Sequence, residues 1–142
     1  MPINSLQSLA DYVIEGHVCT KLAVASCAEG FVLRACVEAY ASGIAEPILV
    51  GDIELTEKLA AERDLDLSPF EKHHVPEPAE AVAKCIELVK EGHASAIMKG
   101  RVNTDVLLRG ILNKDTGMPP KGVLFHKWKD FAPNDDRLMM IT

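Results

Sequence analysis

Lys99, Gly100, Asn103, Thr104 and Arg109 fall within one short stretch of a 142-residue chain. Together these residue types suit one kind of chemistry, the holding of an anion. An ammonium is a point charge, whereas a guanidinium presents a fixed fork that matches two phosphate oxygens. Glycine lets a backbone approach a ligand closely, and the free amides at the start of a helix favour negative charge. The competing reading makes Lys99 a solvated strand end and pairs Arg109 with Asp105 one helical turn earlier. The stretch is neither a Walker loop nor a Gly-x-Gly-x-x-Gly turn.

Charge bookkeeping points to the same place. The chain carries a formal net charge of −6, which argues against a general nucleic-acid surface. Residues 99–129 nevertheless hold seven Lys or Arg against Asp105 and Asp115, a local +5 that leaves −11 for the remainder. One basic region in an acidic chain is what an anionic small ligand requires, since charge lining a cleft raises local ligand concentration. His126 lies in that region and is a weaker site candidate.

Other reactive types are less suggestive. Cys19, Cys27, Cys36 and Cys85 form no Cys-x-x-Cys pair, so no structural zinc or other metal is expected. Cys36 and Cys85 lie in apolar helical patterns and read as buried thiols. His73 and His74 are neighbours on a possible strand, where one faces each way, and read as solvent-exposed. His17 and His93 adjoin glycines at expected helix ends, near the last carbonyls.

The elements that must position the stretch follow from periodicity. Ala94–Met98 reads as a short buried strand, Lys99–Asn103 as a tight turn, and Thr104–Leu112 as a helix with Thr104 as its cap. Upstream, a helix is expected over 5–15, a strand over 21–25, a turn over 26–30 and a helix over 31–41. The pattern then repeats. A strand over 47–50 leads through Asp52, a cap, into a helix over 53–63, and a short strand over 72–75 precedes a Pro-flanked helix. In that helix Ala79, Val82, Ala83, Ile86 and Val89 form the clearest apolar stripe in the chain. Strands alternating with helices through short loops imply βαβ crossovers and a mostly parallel sheet, with ligands outside the carboxyl ends of the strands. Of the turns at that edge, only Lys99–Asn103 is basic. Beyond Asn113 the regularity fades; strands are expected over 123–128 and 137–142, with a polar loop over 130–136.

The chain is sized for one domain, with a core-forming 48% of apolar residues. It shows no membrane-length apolar run and no signal peptide, which makes the cytoplasm the expected compartment. A terminal apolar strand suggests that a longer protein continues beyond it.

Three blocks resemble the N-terminal half of the phosphate acetyltransferase/phosphate butyryltransferase family. They are Lys21-Leu-Ala-Val-Ala25, Gly43-Ile-Ala-Glu-Pro-Ile-Leu-Val-Gly-Asp52 and Met98-Lys-Gly-Arg-Val-Asn-Thr-Asp-Val-Leu-Leu-Arg-Gly-Ile-Leu112. The last is the most specific. The resemblance implies a three-layer α/β/α fold like that of the isocitrate and isopropylmalate dehydrogenases, as the first domain of a two-domain and usually dimeric enzyme. It implies transfer of an acyl group from acyl-CoA to phosphate, giving acyl phosphate and free coenzyme A. Coenzyme A is then a substrate, and no tightly bound cofactor is expected. By resemblance Arg109 faces the active-site cleft, with Gly100 and Thr104 on the turn that lines it. The family's second domain, which supplies most coenzyme A contacts and the base, would lie outside this chain. Phe125-His126 also departs from the Ser-His common in the family. The alternative reading is a non-catalytic anion-binding relic or module that needs a partner chain. A decarboxylating dehydrogenase is disfavoured by the lack of a nicotinamide fingerprint or an aspartate cluster.

Overall fold

The apolar runs Leu22–Ala25 and Pro47–Val50 are too short for helices and form adjacent parallel strands, with Leu22 opposite Pro47 and Ala25 opposite Val50. A computed structural model describes residues 3–16, 19–118, 128–131 and 138–141. Its elements begin with α1 (Leu6–Glu15), β1 (Thr20–Ala25), α2 (Gly30–Ala41), β2 (Ala45–Gly51), α3 (Ile53–Glu62) and β3 (Glu71–His74). They continue with α4 (Pro78–Lys90), β4 (Ala96–Lys99), α5 (Thr104–Leu112), β5 (Trp128–Phe131) and β6 (Leu138–Ile141). β1 to β4 form one parallel sheet in the order β3-β2-β1-β4, and β5 pairs with β6 antiparallel.

The two-residue period of the strands divides the core between the sheet's faces. Ala23, Ala25, Ile48 and Val50 pack with Ala81, Val82, Cys85 and Ile86 of α4, and Val106, Leu107 and Ile111 of α5 join them. Val24 and Leu49 turn the other way, onto Leu33 and Cys36 of α2 and Ala60 of α3. Helices therefore cover both faces of the sheet, and β1 and β2 are buried on both sides, as parallel strands require.

Local chemistry sets the helix starts. Ser5 and Ser8 exchange bonds in a capping box on α1, Glu29 accepts from the Val32 amide on α2, and Asp52 accepts from the Leu55 amide at 3.1 Å on α3. Each oxygen satisfies an amide that the helix itself leaves unpaired. None of the described helices is long and apolar enough to cross a membrane.

Three expectations change. β4 runs over Ala96–Lys99 and is partly exposed rather than buried, because it is the edge of the described sheet; buried Ala94 precedes it. Asn103, with extended backbone, holds the cap position of α5, and Thr104 is its first helical residue. The loop expected over 130–136 begins in strand β5. Most of the strand expected over 123–128 lies outside the described residues, as do His17 and His126.

At the amino end of the sheet, Glu71 ties two segments together. Its carboxylate meets His73 Nε2 at 2.8 Å and His93 Nε2 at 2.8 Å, bridging β3 to the turn before β4. His74 points elsewhere and accepts from the Ile53 amide through Nδ1 at 3.1 Å. The hydrogen bond from His93 holds the Glu71 carboxyl below its ordinary value of 4.5. A depressed carboxyl contributes stability that is present above the unfolded value and is lost as pH falls through the folded one. Glu71→Gln is therefore expected to lower stability at about pH 6 and to match the parent by about pH 3, read from urea unfolding across pH. An unchanged difference at both pH values would contradict this.

Candidate functional site

Going from β1 to β3 the sheet grows in one direction; α4 then carries the chain back to the far side of β1, where β4 pairs. The strand order therefore reverses between β1 and β4, and the helices that follow them pack on opposite faces. Ligands of such sheets bind outside the carboxyl ends of the strands at this reversal. Here two turns meet there. The Gly100 amide donates to the Ala25 carbonyl at 2.9 Å and the Arg101 amide to the Ser26 carbonyl at 2.7 Å. Ser26 has a left-handed backbone, φ 62°, uncommon for a residue with a side chain.

Val102 is buried in the core shared with α4 and anchors the loop, while Lys99, Arg101 and Asn103 alternate with it on the exposed side. These residues line an open cleft of about 510 Å³ with Gly100 and Val106, facing Glu77, Pro78 and Ala79 at the start of α4. The starts of α4 and α5 both border it. Neither is capped by a side chain, in contrast to α1, α2 and α3. In α5 the first intrahelical bond is from the Leu107 amide to the Asn103 carbonyl, 3.1 Å, which leaves the amides of Thr104, Asp105 and Val106 for a ligand or solvent. In α4, Pro78 has no amide to satisfy, and the Ala81 amide bonds the Glu77 carbonyl. Two helix starts and two cations favour an anion in the cleft, opposed by Glu77 in its lining and by Glu80 and Asp105 in the first turns of α4 and α5.

Of the sequence-selected residues, Lys99, Gly100 and Asn103 line the cleft. Thr104 starts the helix beside it. Arg109 does not line it; its side chain is 82% exposed and meets Asp105 Oδ2 at 3.3 Å, the short-range pairing open to it from the sequence. Arg101, Glu77 and Val106 are cleft residues that sequence reasoning missed. The signal for Arg101 was its place two residues from Lys99 on an alternating loop.

The buried thiols offer no nucleophile here. Burial pushes Cys36 and Cys85 up to about 12, and burial also raises Cys27, against a bond to Thr56 that lowers it. Among the described residues no cluster of His, Cys, Asp and Glu could hold a metal ion.

A parallel sheet covered on both faces, with a cationic cleft at its strand reversal, defines an α/β domain of the doubly wound kind. No protein-family model matches the chain. It is similar to the phosphate butyryltransferase of Clostridium beijerinckii, 37% identical over 122 residues, which is 86% of this chain and 40% of that protein. The phosphate acetyltransferase of Rhizobium meliloti is 32% identical over 110 residues, 78% of this chain and 35% of that one. A probable phosphate butyryltransferase of Bacillus subtilis is 31% identical over 126 residues, covering 89% and 42%. Over most of its length the chain is thus similar to proteins named phosphate butyryltransferase and phosphate acetyltransferase, and it spans about two fifths of the length of the first of these relatives.

Proposed function

We propose that this chain is the N-terminal part of a two-domain phosphate acyltransferase of the acetyl or butyryl type, cytoplasmic and dimeric, with a first domain built like the isocitrate and isopropylmalate dehydrogenases. In the reaction a phosphate oxygen attacks the thioester carbonyl of acyl-CoA, the carbon–sulfur bond breaks, and the sulfur leaves as the thiol of coenzyme A once protonated. The barrier lies in the oxyanion that forms at the acyl carbon and in the charge brought to it by phosphate.

The observation that carries the reading is the uncapped start of α5 beside Lys99 in a chain related to these transferases. Lys99 and the first amides of α5 would hold phosphate, and Asn103 Nδ2 would donate to one of its oxygens. Gly100 keeps the backbone low enough for a ligand to reach those amides. The base that handles the thiol proton, and most coenzyme A contacts, fall to the remainder of the enzyme. Arg109 would meet substrate only once that remainder forms the opposite wall of the cleft.

Titration of the chain with inorganic phosphate, followed through the amide resonances of residues 99–106, tests the reading. Lys99→Ala is expected to weaken binding about tenfold, the worth of one charge-assisted hydrogen bond. Phosphate that leaves these resonances unmoved would overturn the site. Acyl phosphate formation at enzyme-like rates by the chain alone would overturn its assignment as one part of the enzyme.

A further inference from the structure

The cleft holds a second cation, Arg101, on a backbone held in place as that of Lys99 is by its pairing with Ala25. Among the described residues, Arg34, Lys72, Lys84 and Arg109 each have a carboxylate within ion-pair distance; Lys99 and Arg101 have none, as is also true of Lys21, Lys58, Arg63, Lys90 and Lys114 outside the cleft. Glu77, the carboxylate that shares their cleft, pairs with neither. The backbone of Arg101 is clamped on both sides. Its amide donates at 2.7 Å to the carbonyl of left-handed Ser26, and Val102, next along, is only 6% exposed in the core. The guanidinium therefore starts from a fixed point, at most about 7 Å from the Lys99 Cα, since each residue advances the chain by no more than ~3.6 Å.

Resting on the reading of the cleft as an anion site, we infer that Arg101 is a specificity-determining residue that makes the cleft prefer a diphosphate to a single phosphate. One phosphoryl group occupies the Lys99 ammonium and the free amides of α5. A second, linked group falls to the guanidinium, whose fork takes two of its oxygens. The volume agrees. The cleft, about 510 Å³ and open to solvent, has room for two linked phosphoryl groups. Glu77 opposes either anion, so it lowers both affinities without creating the preference.

Calorimetric titration of the chain with inorganic phosphate and with pyrophosphate, at matched ionic strength, decides the matter. The parent is expected to bind pyrophosphate about tenfold more tightly. Arg101→Ala should remove most of that preference while changing phosphate affinity by no more than about twofold, and Arg101→Lys should restore part of it. Lys114→Ala, which deletes one exposed charge outside the cleft, controls for overall charge and should leave the preference intact. Equal losses for both anions in Arg101→Ala, or a parent without preference, would overturn the role of Arg101 while leaving the phosphate site standing if Lys99→Ala still weakens phosphate. A parent that binds neither anion would overturn the site and this role together.

Discussion

Gly100→Ala is expected to destabilise the domain by roughly 2–3 kcal/mol, as overpacking of an unyielding site does, and to abolish phosphate binding at the cleft. A Cβ at this position would press on the Ser26 carbonyl oxygen and stand 2.6 Å from that of Ala25. Both obstacles are backbone. Ala25 is paired with Val50 on one side and Lys99 on the other, so it cannot withdraw without disturbing three strands. The loop would have to lift instead, breaking the bonds from the Gly100 and Arg101 amides, each worth about 1 kcal/mol. The glycine is required here by close approach. Urea unfolding with a parallel phosphate titration checks the result, and a Gly100→Ala protein with the parent's stability and affinity would contradict it.

The same contact shows where sequence reading stops. The β1 and β2 strands were legible because short apolar runs between turn residues leave few options, and Asp52 was legible as a cap because its effect is local. The helix expected over Thr104–Leu112 coincides with α5 at both ends. Its cap does not, since Thr104 and Asn103 are both good capping types and the choice lies with the backbone of the preceding turn. That turn is shaped by Ser26, distant in sequence, whose carbonyl fixes Arg101. No local pattern reports such a contact; alternation from Lys99 is the one sequence signal for Arg101, while Arg109, singled out by family resemblance, stands outside the described cleft. Its pairing with Asp105 followed from i,i+4 spacing alone. The exposed edge of β4 is a similar case: alternation of residue types does not say which strand lies outermost.

The position of α5, and with it the anion site, depends on a second glycine. Gly110 sits where α5 crosses α4, and a Cβ there would stand 2.6 Å from Val82 Cγ1 and 3.4 Å from Ile86 Cδ1. Val82 and Ile86 are 1% and 2% exposed, so neither can swing into solvent. Gly110→Ala sets two effects against each other. Alanine gains about 0.8–1.0 kcal/mol of helix propensity over glycine, while pressing on buried, β-branched Val82, stiff at χ1, costs about 1–3 kcal/mol. The net change is expected to be a mild destabilisation. Gly110→Leu gains nearly the same propensity, but it sets three further carbons against the same wall. It is expected to cost about 3 kcal/mol and to push α5 away from α4, since the added side chain enters a core already packed. Gly110 lies seven residues beyond Asn103, about 10 Å along the helix axis, so a displaced contact tilts the free amides out of line with Lys99. Phosphate affinity should fall with stability. Shortening the opposing side chain in a Gly110→Leu/Val82→Ala double variant makes room and should recover part of both, an outcome expected only if the two residues meet directly. Thermal unfolding by circular dichroism and phosphate titration of the three proteins read this out. A Gly110→Leu chain that binds phosphate like the parent would show that the packing of α5 on α4 does not set the site.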